Sequence, residues 1–462
     1  MNEYMIYTPE DELFDVEEFS YGENSDLKCL VDKEVLSKSS GETSFPRNLP
    51  YLKKFGIDWE EMSDKGHMRY QPKAALMFDL ISDYAWDKAT SLNIPIYRIR
   101  GTNMFKLSEP AVREHAVLFG DRLYQIEDEK EKYILRYAAC HQQFAAIKHW
   151  NISVRHLPFG VYENADSYRL EQSGELLLGF RTRRMNMPDL HIISKNIEES
   201  KKISVEVHKK ILEEYQSNLG RNLVNIYNLT ESFFNENREY MKDLLKIEQK
   251  PVLLRFVPSE KYYWVINVEH HIIDSVQKPR EIATFQIDIG NAKRFGIKYK
   301  NGSTEIYPPI IHTALIGTIE RYLYTLFDTA AIKAMKGEAP TLPLWVAPTQ
   351  VRVIPVSEKY NEFAFSIGKK LYDNMIRTEI DDRDESVGKK VSTSEKDWVN
   401  YTLVAGEREK TTGLLSIRDR CRKEMKNMSL EEFIKSLQTE IGNKPKIKPY
   451  FPIQLSKIPP FV

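Results

Sequence analysis

The sequence predicts a multidomain α/β protein of the α+β kind, with an antiparallel-sheet domain flanked by helices and then a small α/β unit with a largely parallel sheet. Three observations carry that expectation. The chain has 462 residues, 42% hydrophobic and 11% aromatic, enough to bury more than one core. Strand-like segments over 154–193 and 252–295 are broken by polar connections and helical patterns, as in antiparallel sheets. Beyond residue 344, strands at Val351–Val356, Arg377–Ile380 and Tyr401–Ala405 are separated by helical patterns, which points to parallel pairing.

Residues 1–48 read as an acidic extension, because the first 50 residues hold 12 acidic and 4 basic side chains and include the polar run Lys38-Ser-Ser-Gly-Glu-Thr43. Order is expected to begin near Pro46. An amphipathic helix is predicted over Tyr70–Leu92 from the spacing of Ala75, Met77, Leu80, Ile81, Tyr84 and Ala85, followed by a strand over Ile94–Ile99. Further helices are expected over Glu198–Glu214 and from Asn228-Leu-Thr-Glu-Ser232 to Lys246. The glycine and two prolines of Met335-Lys-Gly-Glu-Ala-Pro-Thr-Leu-Pro-Leu344 mark a boundary, dividing the rest into domains 49–338 and 339–462.

A formal charge of −1 gives no global basic field, so any nucleic-acid partner must be held by local patches. Cys29, Cys140 and Cys421 are too dispersed for a disulfide scaffold and suit a reducing cytosol. The acidic N-terminus lacks the pattern of a signal peptide, and no apolar run approaches the roughly 20 residues of a membrane helix. The expectation is a cytoplasmic protein with no membrane partner.

Two constellations carry chemistry. Ser167-Tyr-Arg-Leu-Glu-Gln-Ser-Gly174 and Gly179-Phe-Arg-Thr-Arg-Arg184 concentrate arginines, whose rigid fork suits phosphate. A solvated surface hairpin would have the same composition. Cys140, His191 and His312 are zinc-type donors, and a site with three protein ligands keeps a position open for substrate. Each also reads as an ordinary packed residue on an apolar segment.

Together these segments resemble the class II aminoacyl-tRNA synthetases, and among them the threonyl-tRNA synthetases. Residues 167–184 look like motif 2, and His312-Thr-Ala-Leu-Ile-Gly-Thr-Ile-Glu-Arg321, expected on a helix, looks like motif 3. Pro279-Arg-Glu-Ile-Ala-Thr-Phe-Gln-Ile-Asp288 resembles the strand before motif 3. Ala347-Pro-Thr-Gln-Val-Arg-Val-Ile-Pro355, Asp381-Asp-Arg-Asp-Glu-Ser-Val-Gly-Lys-Lys390 and Ala405-Gly-Glu-Arg-Glu409 are similar to the anticodon-binding domain of several class II enzymes. The resemblance runs from about Met68 to Gly442.

It implies an ATP-dependent ligase that joins threonine to threonine tRNA (tRNA-Thr), with Mg2+ accompanying ATP, acting as a homodimer. Arg169 and Arg321 would be catalytic and grip the ATP phosphates, Arg181 would take the phosphate tail, and Glu171 the adenine amino group. Met185, where a phenylalanine is usual, would pack on adenine, with Glu281, Thr284 and Gln286 in the same pocket. Cys140, His191 and His312 would hold Zn2+, to which the amino and hydroxyl groups of threonine coordinate, and Asp189 would receive the ammonium. Tyr263 or Trp264 would close the pocket, an ungapped match falling on Trp264. His115 falls where the family places a histidine assisting aminoacyl transfer. Asp384, Glu409 and Arg418 would contact the anticodon, in a region, 341–462, with 21 basic and 17 acidic residues.

Departures from the family pattern accompany these matches. Arg100-Gly-Thr102 stands in place of the motif 1 proline that supports the dimer, and Trp398 replaces a basic residue some members turn toward the anticodon. The segment before Met68 is too short for the N-terminal editing domain of typical members. Serine also offers an amine and a hydroxyl, and one methyl is worth only about 1–3 kcal/mol, so resemblance to editing-deficient archaeal forms implies a separate editing protein. A non-catalytic paralogue binding tRNA or acting in regulation is the alternative from another class, but such proteins usually lose the ATP arginines that this chain keeps.

Overall fold

Ten segments, several of them buried on both faces, build one large sheet in the computed structural model, which describes residues 3–37, 45–259, 262–448, 450 and 452–461. Its strands in chain order are β1 (Tyr4–Tyr7), β2 (Leu13–Asp15), β3 (Ile96–Arg98), β4 (Phe159–Tyr168), β5 (Arg184–Ile193), β6 (Val224–Leu229), β7 (Val252–Phe256), β8 (Trp264–Ile273), β9 (Pro279–Asp288) and β10 (Ile310–Ala314). They lie side by side as β2-β1-β7-β6-β8-β9-β10-β5-β4-β3. Neighbours from β6 through β8, β9, β10 and β5 to β4 are antiparallel, while β6–β7 and β4–β3 are parallel.

The register of this sheet positions the site. On β5 and β10, His191 lies directly opposite His312, and His312 in turn lies opposite Gln286 of β9. Glu163 of β4 faces Asp189 of β5. Residues opposite one another on antiparallel strands bring their Cβ atoms to about 5 Å, so side chains some 120 residues apart become immediate neighbours.

Helices α1 (Ser25–Glu34), α2 (Cys140–Ile147), α3 (Ile197–Leu212) and α4 (Ile319–Met335) accompany the sheet. The expected acidic extension is corrected for residues 3–37, while its polar run Lys38–Thr43 lies outside the described residues. β1 and β2 are sheet strands, and α1 buries Leu27, Leu30 and Val31 against Ile6, Val224, Ile226 and Leu253. Acidic composition misled because the charges occupy the solvent-facing positions of an otherwise apolar repeat. The expected helix to Lys246 is broken at Asn237, into Glu231–Glu236 and Arg238–Glu248.

Motif 3 is not one helix. His312 sits on β10, the chain turns at Gly317, and α4 starts at Ile319. Gly317 has φ +67°, and a Cβ there would lie 1.7 Å from the Ile282 carbonyl oxygen, so only glycine permits the approach.

The chain separates into two compact units, Met1–Leu49, Trp59–Met68 and Ala85–Thr329 in the first, Pro50–Asp58, Arg69–Tyr84 and Ala330–Val462 in the second. Residues 50–58 and 69–84 thus group with the C-terminal region rather than with a 49–338 domain. The second unit contains β11 (Val351–Pro355), β12 (Thr378–Ile380), β13 (Tyr401–Ala405), β14 (Leu415–Asp419) and β15 (Glu424–Met428), ordered β12-β11-β13-β14-β15. The first three are parallel, but β14 and β15 add antiparallel pairs, making the sheet mixed rather than largely parallel. Trp398 is buried against Tyr51 and Phe55, which accounts for an aromatic there. Among the described residues no helix is long and apolar enough to cross a membrane.

Candidate active site

The three expected metal donors converge. One ligand atom from each of Cys140, His191 and His312 lies within 4.8 Å of the others, and all three side chains are buried. Cys140 Sγ is 3.5 Å from His312 Nδ1, and His191 Nε2 is 3.0 Å from the same nitrogen. A tetrahedral zinc ion, bonded at about 2.0 Å to nitrogen and 2.3 Å to sulfur, spaces its ligand atoms roughly 3.5 Å apart.

Their hydrogen-bond partners settle which ring nitrogens are free. Gln143 Nε2 donates to the Asp189 carbonyl at 3.1 Å, so its Oε1 accepts from His191 Nδ1 at 2.8 Å. Asp288, fixed by the Gly290 and Asn291 amides, accepts from His312 Nε2 at 2.7 Å. The remaining nitrogens, His191 Nε2 and His312 Nδ1, then point lone pairs at each other across 3.0 Å. A shared proton or a metal ion would satisfy both, and carboxylate or amide partners on the outer nitrogens are what metal-bound histidines use. Burial opposes charge on His312, but Cys140 and Asp288 more than offset it and push its pKa up to about 10. The donor set fits a zinc ion.

Cys140 and His312, with His191 buried behind them, line a cavity of about 460 Å3 that Arg169, Arg321, Glu281 and Thr284 also line. Asp189, Tyr263, Gln286, Met185 and His115 also line it. Burial raises Asp189 to about 6, partly countered by His312, so a cationic guest would restore its charged form. Tyr263 donates to Gln286 Oε1 at 3.1 Å and packs 5.7 Å from the His312 ring, whereas Trp264 stacks on Tyr262 outside the cavity. The aromatic lining residue is therefore Tyr263.

Arg169 donates to the Tyr137 carbonyl at 3.0 Å, and Arg321 to Glu281 at 3.1 Å. Arg181 and Glu171, expected beside them, do not line this cavity. Arg181 is half exposed and paired with Glu175 at 2.8 Å, and the Glu171 carboxylate lies 3.9 Å from Arg122. His115 is held by an aromatic chain. His141 Nδ1 faces the Ala138 carbonyl, so Tyr137 donates to His141 Nε2 and its oxygen accepts from His115 Nδ1 at 2.9 Å. His115 Nε2 is left as a bare acceptor, with no protein partner among the described residues. Burial lowers its pKa to about 2, which keeps it neutral.

In the second unit, Asp384 is exposed and Arg418 is half exposed and paired with Glu395 at 2.7 Å. Glu409 is turned inward instead, accepting from Gly406 N at 3.2 Å and Ser416 Oγ at 3.1 Å at the start of a short helix. Sequence reasoning missed Gln143, Asp288 and Phe119. Arg169 lies 5.3 Å over the Phe119 ring. Only Gln143, three residues after Cys140 on one helix face, had a spacing that could have drawn attention.

Comparison with known proteins agrees with this geometry. Residues 124–330 match the tRNA synthetase class II core domain (G, H, P, S and T), and residues 350–440 the anticodon binding domain. The chain is 51% identical to the threonine–tRNA ligase of Pyrobaculum islandicum over 457 residues, covering 99% of this chain and 74% of that protein. It is likewise 51% identical to the threonine–tRNA ligase of Thermofilum pendens, covering 99% and 75%. A solved threonyl-tRNA synthetase RNA-binding domain from Cryptosporidium parvum superposes with TM-score 0.74 at 21% identity, over 86% of this chain and 98% of that one, which speaks to fold alone.

Proposed function

The chain belongs to the threonine–tRNA ligase family, and from that premise we propose that its cavity activates threonine with ATP and passes the threonyl group to tRNA-Thr. The observation that carries this reading is one cavity lined both by Cys140 and His312 of the donor cluster and by Arg169 and Arg321.

Cys140, His191 and His312 would hold a zinc ion, which would supply Lewis-acid affinity for the amine and hydroxyl of threonine. Asp189 receives the ammonium and Tyr263 bounds the side-chain end. The threonine carboxylate attacks the α-phosphorus, the bond to the β-phosphate oxygen breaks, and pyrophosphate leaves. Arg169 and Arg321 stabilise the charge that develops there, and Mg2+ would accompany ATP. Glu281, Thr284, Gln286 and Met185 line the nucleotide end, and Glu171 and Arg181 join it when ATP is bound. In the second step a terminal ribose hydroxyl of tRNA attacks the carbonyl and AMP leaves. His115 Nε2, neutral and unoccupied by protein, accepts a hydrogen bond from that hydroxyl. The second unit, with Asp384 and Arg418 exposed, contacts the anticodon, and the enzyme works as a homodimer.

Serine carries the same two donor groups, so the cavity admits it at a cost of only about 1–3 kcal/mol relative to threonine, while valine lacks the hydroxyl and is rejected. The test is threonine-dependent ATP–pyrophosphate exchange with metal analysis on the native chain and on Cys140→Ser. Loss of both zinc and exchange is expected. Full retention of both would sink the zinc assignment. His115→Ala is expected to keep the exchange and slow transfer to tRNA, and equal loss in both steps would remove its assigned part.

A further inference from the structure

We propose that the buried pair Arg136–Glu163 is a positioning clamp that holds Cys140 in register with Arg169, tying the metal end of the cavity to its nucleotide end. The inference rests on the reading above and adds two residues that touch neither ligand. Arg136 is 1% exposed and Glu163 3%. Arg136 Nη2 donates both to Glu163 Oε2, at 2.6 Å, and to the carbonyl of Ala139. Ala139 is the residue before Cys140, where α2 begins, so the guanidinium grips the peptide that aims the thiol.

The same four-residue run seats the ATP arginine. The Arg136 carbonyl accepts from Tyr168 N at 2.6 Å, and the Tyr137 carbonyl accepts from Arg169 Nε at 3.0 Å. The clamp is anchored from outside as well. Glu163 Oε1 accepts from Gly101 N at 2.9 Å, Thr102 N donates to Gln142 Oε1 at 3.1 Å, and Arg136 N donates to the Asn103 carbonyl at 2.7 Å. A Cβ on Gly101 would lie 1.9 Å from Gln142 Cδ, so a larger residue would displace the glutamine side chain that accepts from Thr102 N. Glu163 also faces Asp189 across β4 and β5.

Stability does not account for this pair. Arg136 Nε and Nη1 have no hydrogen-bond partner among the described residues, and buried orphan donors are costly. Apolar replacements of buried ion pairs are often no less stable. What a methionine could not do is hold a carbonyl and a carboxylate from one nitrogen, fixing the Cys140 peptide to the Glu163 anchor.

Arg136→Lys keeps the charge without the fork, Arg136→Met keeps the stem without the charge, and Glu163→Gln weakens the anchor. In the full chain, each is compared with the native protein for Co2+ uptake, the Co2+ absorption spectrum, KM for threonine and for ATP, and kcat of pyrophosphate exchange. We expect Arg136→Lys and Glu163→Gln to fold, to shift the Co2+ bands, and to lose about 10–100-fold in metal affinity or kcat. Arg136→Met should lose more. Variants with the native Co2+ spectrum and native exchange rates overturn the clamp, and if Arg136→Met fails to fold, the lysine and glutamine variants decide. A native chain that takes up no Co2+ overturns the metal reading instead. The clamp is then read at Arg169, where a raised KM for ATP supports it and an unchanged one overturns it.

Discussion

The two ends of the cavity differ in how far the protein alone completes them. At the metal end each histidine has its outer nitrogen committed, His191 to Gln143 at 2.8 Å and His312 to Asp288 at 2.7 Å, so the inner nitrogens are aimed before anything binds. At the nucleotide end Arg321 rests on Glu281, Arg181 is drawn away to Glu175, and Glu171 lies toward Arg122. Selection among amino acids that differ by one group demands a rigid site, whereas a triphosphate brings enough charge to gather its own arginines.

The comparison breaks first at Arg169, proposed to grip phosphate and held by the Tyr137 carbonyl. Arg169→Ala should lower kcat of pyrophosphate exchange by about 10²–10³, the usual cost of removing one preorganised donor to developing charge. Zinc content should not change, because Arg169 bonds to none of the three donors. A variant that loses zinc in parallel would show that the ends are not separable.

A smaller effect is expected at the metal end from residues that never meet substrate. Asp288→Asn and Gln143→Leu leave all three donors in place but free a ring to turn, so zinc affinity, measured by competition with a chelator, should fall about 10–100-fold. Threonine KM should rise with it while ATP KM stays. Unchanged affinity would mean that the strand register alone aims the rings.

Much of the site was legible in the sequence, but unevenly. Cys140, His191 and His312 could be named because the motif frame fixes donors, and the sheet then makes them neighbours by pairing His191 with His312. Gln143 and Asp288 carry no such label, since a buried glutamine or aspartate becomes a partner only through tertiary register. Tyr263 and Trp264 stand as alternatives in the sequence because they are adjacent, and only the folded chain shows that Tyr263 lines the cavity. Glu409 matched a base-reading position, yet local amide and hydroxyl donors at Gly406 and Ser416 hold its carboxylate inside the unit. Composition failed for residues 4–34, where charge counts hid the buried repeat of Ile6, Leu27, Leu30 and Val31.

The smallest effect should come from Arg181. Its pair with Glu175 is half exposed on both sides, and such pairs contribute about 0–1 kcal/mol, so breaking it costs the fold almost nothing. Arg181→Ala should therefore leave the melting temperature and zinc content unaltered and raise the KM for ATP by only a few fold, about what one flexible, solvent-screened contact to a phosphate is worth. Glu175→Ala provides the opposite check. If Arg181 must leave Glu175 to reach ATP, removing the carboxylate frees the guanidinium and should lower that KM. A rise in KM for Glu175→Ala would instead mean that the ion pair itself shapes the loop for the nucleotide, and that the nucleotide end is more completely built in the free protein than its partners suggest.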